Sequence, residues 1–110
     1  MSVRLVIEVL DHAPAELTPA ERLLLVVIAE FADGTTRRCS PGRDALIRRT
    51  GLDHRHLTRV LTQLAACGYE VRVPAGVDKK GKFVFANKGH RTIFEVPVFR
   101  DSKVDTGDPL

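Results

Sequence analysis

The sequence predicts an α+β domain whose helices come first and whose strands come last. Three observations carry this. Capping signals and apolar periods near 3.6 fill residues 18–67. From Tyr69 onward the apolar period falls to two. Prolines and glycines then cut that second part into short strands. At 110 residues and 44% apolar side chains the chain can bury a real core, so one domain is expected over residues 1–100. The polar tail over residues 101–110, DSKVDTGDPL, is expected to be disordered.

Residues Val3–Leu10 fit two periods. Val3, Leu5, Ile7 and Val9 alternate as a strand would, whereas Val3, Val6, Ile7 and Leu10 make a helical stripe. The i, i+4 pair Arg4 and Glu8 favours the helix, and the strand stays open. Pro14 marks a loop over residues 12–17. Thr18-Pro19-Ala20-Glu21 is a capping box with proline at the first helical position. The helix it opens is apolar nearly all round (Leu23, Leu24, Leu25, Val26, Val27, Ile28, Phe31) and therefore belongs at the centre of the core. Asp33-Gly34 is expected to end it, with the glycine at positive φ.

Ser40-Pro41 repeats the start signal, for a helix running to about Thr50. Gly51 makes a tight turn, Leu52 plugs it into the core, and Asp53 caps a second helix over residues 54–67. That helix carries Leu57, Val60, Leu61 and Leu64 on one stripe, and Gly68 stops it. Strands are then expected at Glu70–Val73, Phe83–Phe85 and Thr92–Val98, with turns at residues 77–82 and 87–90. Helix, helix, turn, helix and basic hairpin is the order of a winged helix-turn-helix, with three or four helices and a C-terminal β-hairpin wing. Ile47, Gly51, Leu57 and Val60 have the small, turn-forming and apolar character that clamps two such helices together.

Charge is uneven along the chain. Residues 1–34 net −4, residues 35–69 net +5, residues 70–94 net +4 and residues 95–110 net −2. The middle is a basic block of +9 between acidic ends, and a polyanion is its natural partner. The second helix of the pair points His54, Arg55, Thr58, Arg59, Thr62 and Gln63 away from its apolar stripe. Arginine can give two hydrogen bonds to guanine O6 and N7, glutamine can do the like for adenine, and threonine suits a phosphate or a thymine methyl. His54 and His56 diverge at i, i+2 and lack further ligands, so phosphate contact or plain exposure is expected of them rather than metal. Lys79, Lys80 and Lys82 crowd one glycine turn, with Lys88 and Arg91 beyond it, as a wing on the phosphate backbone or in the minor groove requires. Arg37, Arg38 and Arg43 complete the expected DNA-binding set.

These residues resemble the winged helix-turn-helix proteins of actinobacterial plasmids, phages and regulators. The resemblance covers roughly residues 10–98 and rests on LTPAERLLLVVIAEFAD, SPGRDALIRRTGL, a recognition helix and a basic wing. It implies a small transcriptional regulator, or a replication, partition or excision factor, with residues 54–67 in the major groove. Members usually have Ser or Thr before the recognition helix and a run of Arg and Glu after it. Here Asp53 and His54-Arg55-His56 stand there, so no base preference carries over.

Sequence-specific binding of double-stranded DNA is the expected function, possible as a homodimer on a palindromic or repeated site. The alternative is a winged helix that binds protein instead. The chain holds no nucleophile elbow, phosphate loop, HExxH helix or convergent carboxylate pair, so no enzyme, cofactor or small-molecule ligand is expected. Cys39 and Cys67 form no CxxC pair and are expected as small, buried or half-buried thiols. With no apolar run of ~20 residues and no signal-peptide order at the start, a cytoplasmic, nucleoid-associated protein is expected.

Overall fold

Among the described residues four helices form, and each starts where a cap or the end of a strand allows it. The computed structural model describes residues 2–85 and 91–99. Helix α1 (Val3–His12) settles the ambiguous opening: Ser2 Oγ accepts from Leu5 N at 3.2 Å and nucleates the helix. Its buried residues are Leu5 and Val9; of the expected stripe Val6 is half-buried against the core, and Val3, Ile7 and Leu10 stay exposed. The reason is that α1 packs chiefly on one helix, α2, so only a narrow i, i+4 strip is covered.

Helix α2 (Pro19–Phe31) starts at the expected box: Thr18 Oγ1 accepts from Glu21 N at 3.2 Å and Glu21 Oε1 from Thr18 N at 2.8 Å. It buries Leu24, Leu25, Val27, Ile28 and Ala29 and touches α1, both later helices and the first strand. Its end differs from expectation. Asp33 Oδ1 takes the amides of Thr35 (2.6 Å) and Thr36 (3.2 Å), and Arg37 rather than Gly34 adopts positive φ, at 63°. The aspartate closes the turn, so glycine is not needed there.

The turn leads into β1 (Arg38–Cys39), a strand not expected from sequence. Ser40 and Pro41 lie between β1 and the helix, and α3 (Arg43–Thr50) begins after extended Gly42 with no side-chain cap. The expected Ser40 cap is therefore displaced by two residues. Gly51 at φ 77° ends α3, as the turn requires, and half-buried Leu52 packs against the core. Helix α4 (His54–Ala66) starts at Asp53, whose carboxylate accepts from His56 N at 2.7 Å, and buries Leu57, Val60, Leu61 and Leu64. Cys67 is the C-cap, beyond the last buried residue Leu64, and is exposed, against expectation. Cys39 is half-buried and burial pushes its thiol up to about 11.

The remaining strands are β2 (Arg72–Val73), β3 (Gly76–Val77), β4 (Phe83–Val84) and β5 (Ile93–Glu95). The sheet order is β1-β5-β2, antiparallel, with Arg38 opposite Glu95 and both Cys39 and Arg72 opposite Phe94. The last strand is thus shorter than the expected residues 92–98. Strands β3 and β4 make a separate hairpin at the far end of β2, with Val77 opposite Phe83. Val71, Phe94, Val96 and Phe99 bury under the helices and join their core. This α+β arrangement is a winged helix-turn-helix: α3 and α4 are the paired helices, β2 and β5 the wing's base, and β3–β4 its tip. The expected turn at residues 87–90 and the polar tail lie outside the described residues.

Candidate nucleic-acid interface

Helix α4 presents the expected polar face. His54, Arg55, His56, Thr58, Arg59, Thr62 and Gln63 are all exposed, opposite the four buried residues of the stripe. Local bonds already commit some of these groups. Thr58 Oγ1 donates to His54 O at 3.1 Å and Thr62 Oγ1 to Thr58 O at 3.0 Å. Both hydroxyl protons are spent on the helix backbone, which leaves methyl groups and lone pairs for a ligand. Arg43 crosses from α3 to the start of α4. Its guanidinium donates to His54 Nδ1 (2.9 Å), to His54 O (2.7 Å) and to Thr58 Oγ1. The His54 ring therefore carries its neutral-form proton on Nε2. Asp53 already places a carboxylate at the N-terminus of α4, where it opposes a phosphate.

The fold sorts the basic residues into two sets. Arg37 turns inward: it donates to Glu8 (2.5 Å), Val96 O (3.1 Å) and Pro97 O (2.9 Å). Arg38 pairs with Glu95 at 2.7 Å, Arg72 with Glu70 at 2.8 Å, and Arg49 with Glu30. Arg49 also lies over the Phe31 ring and Arg72 over the Phe85 ring. Arg48, Arg55, Arg59, Arg91, Lys79, Lys80 and Lys82 are exposed and make no ion pair with a described residue. The second set is the one a polyanion can reach without breaking a bond. Arg37 and Arg38 are not brought together with it, and Lys88 lies outside the described residues.

Arg48 was not among the residues expected from sequence, and nothing in its local pattern singles it out from its neighbour Arg49. It lines a shallow cleft with Gly42, Arg43, Asp44, Ala45 and Arg91. Beside it, a cleft of about 280 Å³ runs between Pro41–Arg43, Leu57 and Leu61 of α4, and Arg91–Phe94. The start of α3, α4 and the entry to β5 thus face one another across a basic rim.

Residues 15–69 match the family model described as a helix-turn-helix domain, half of the chain. The chain belongs to the helix-turn-helix domain family. The matched segment contains α2, α3 and α4 with both of their connections, while α1 and the β2–β5 wing lie outside it. Membership points to DNA as the partner. No curated protein matches the chain, and no solved structure does. Among the described residues no helix is long and apolar enough to cross a membrane.

Proposed function

We propose that the protein binds double-stranded DNA sequence-specifically, with α4 in the major groove and the basic wing on the backbone or in the minor groove. The observation that carries this is the outer face of α4, where Arg55, Arg59 and Gln63 stand exposed and the two arginines make no ion pair with a described residue. Groups of this kind read base edges. Arg48, Arg91 and the three wing lysines supply the phosphate contacts that fix register. The same reading makes the protein a small regulator, or a plasmid or phage replication, partition or excision factor. The rival reading, a protein-interaction module, needs an apolar patch on α4, and that face has none.

Binding to a homodimeric site belongs to this proposal. Its support is the stripe of Val3, Ile7 and Leu10 on α1, exposed at 72%, 51% and 54%. A second copy seated on that stripe covers it. Sedimentation of the protein and of Ile7→Glu checks this: the parent sediments as a dimer and the variant as a monomer.

The test of DNA binding is a salt titration. Four to six phosphate contacts predict a log–log slope of about −3.6 to −5.4, hence a loss of roughly 150- to 1,800-fold in affinity between ~50 and ~200 mM salt. No binding at the low end, or a flat profile, overturns the reading. Selection of duplexes from a random pool then gives the target sequence.

A further inference from the structure

The wing tip carries apolar surface that the described residues leave open. Val77 on β3 and Phe83 on β4 are cross-strand partners, so their side chains share one face of the hairpin. They remain exposed at 60% and 64%. Among the wing's other large residues Val71 and Phe94 are buried and Phe85 lies under Arg72 at 4.4 Å, while Ile93 is less exposed than the pair, at 42%. The pair also sits on a well-made turn. Asp78 N donates to Lys82 O at 2.8 Å, Gly81 N to Asp78 O at 3.0 Å, and Gly81 takes φ 84°. Asp78 Oδ1 accepts from Lys80 N (2.8 Å) and Lys82 N (2.9 Å), which turns its charge into the loop. Lys79, Lys80 and Lys82 keep no ion-pair partner among the described residues. The tip is therefore an ordered apolar pair bordered by three uncompensated cations.

We propose that this pair enters the minor groove of the bound duplex and packs on its sugar walls, with Phe83 as the principal contact. The inference rests on the DNA-binding reading above and fixes which groove the wing uses. Charge selects the occupant, since three lysines beside an apolar pair suit a surface that is anionic at its edges and apolar within. The minor groove offers this: phosphates line its rim and deoxyribose its walls, and apolar side chains are used there by other proteins. A guanine adds a 2-amino group to the groove floor, which obstructs an apolar side chain. Tip contact thus disfavours G·C pairs where the wing lies.

Phe83→Thr keeps a strand-forming residue but removes the ring, and Phe83→Leu keeps apolar bulk. Both are compared with the parent on duplexes with G·C or inosine·C pairs flanking the selected site, after circular dichroism has shown the same helix content. The parent is expected to prefer inosine·C severalfold. Phe83→Thr should lose roughly tenfold in affinity, lose the inosine preference, and keep the parent's salt slope, because no charge is removed. Phe83→Leu should stay close to the parent. Unchanged affinity and inosine preference in Phe83→Thr overturns the proposal while leaving DNA binding intact. A changed salt slope overturns it too, because the ring would then act by placing the lysines. So does loss of self-association without loss of DNA affinity, which makes the pair a protein contact. A parent that binds no duplex takes the underlying reading with it.

Discussion

Arg37 is the one non-glycine residue at positive φ among the described residues. It holds φ at 63°, where a side chain is disfavoured, and its guanidinium ties α1 to the exit of β5 through Glu8, Val96 O and Pro97 O. Arg37→Ala removes the tie and keeps the strain, so it should cost about 2–3 kcal/mol. Arg37→Gly also removes the tie but relieves the strain, and should be roughly 1 kcal/mol less damaging. Urea denaturation of the two variants checks the order; alanine equal to or better than glycine would show that φ carries no cost. The hydrogen bond from Arg37, opposed in part by burial, holds the Glu8 carboxyl below its ordinary value of 4.5. A depressed folded-state value means stability that is fully present above about 4.5 and is lost as the pH falls through the lower folded value. Asp33, held down by the amides of Thr35 and Thr36, acts in the same direction. Stability of the parent should therefore fall on acidification from pH 5, and Glu8→Gln should show a shallower fall; parallel pH curves would remove the pair from the account. The two thiols differ as well: Cys67 should react readily with a thiol probe at neutral pH, and Cys39 should not until the protein unfolds.

Helices α2 and α4 carry predictions of opposite kinds. The Thr18–Glu21 box is formed on both sides, so Thr18→Ala should lower stability by ~1 kcal/mol and leave DNA affinity untouched. An unmoved denaturation midpoint would mean that the box contributes nothing. On α4, Arg55→Ala or Arg59→Ala should reduce discrimination between the selected site and random DNA by ~1–3 kcal/mol where the arginine meets a guanine edge, with stability unchanged. A uniform loss on both DNAs would assign that arginine to phosphate. Most of both elements is legible in the sequence, because a cap, a proline at the first position and a 3.6 period act within a few residues. The start of α3 is not. Ser40-Pro41 is a valid cap signal, yet these residues follow directly on β1 and the helix starts only after Gly42. A local signal lost to a sheet contact with residues 94 and 95.

At the scale of the molecule, the linear basic block is not the basic surface. Glu8 and Glu30 from the acidic N-terminal part, and Glu95 from the acidic end, fold back onto Arg37, Arg49 and Arg38. What remains open is a smaller set on α3, α4, Arg91 and the wing tip. Replacing Lys79, Lys80 and Lys82 together by Ala should therefore weaken binding to specific and random duplexes by similar factors and flatten the salt slope by up to about three units. A folded triple variant with the parent's slope would place the tip lysines in solvent. This response is separable from that of Phe83, which should move affinity and leave the slope alone.

By itself the sequence determined the elements whose causes are local: the capped core helix, the Gly51 turn with Asp53 behind it, the apolar stripe and polar face of α4, and the glycine turn of the wing. Each needs only residues within about one or two turns of chain, so their order and the winged helix-turn-helix class could be read directly. Tertiary structure decided the rest. Strand β1 exists because Arg38 and Cys39 meet Glu95 and Phe94, far along the chain. Which face of α1 is buried follows from α2, and which arginines are spent inside follows from where three distant glutamates arrive. The exposure of Val77 and Phe83 has the same origin. Alternation marks them as strand residues, but burial needs a surface opposite, and the hairpin projects beyond the one the helices provide.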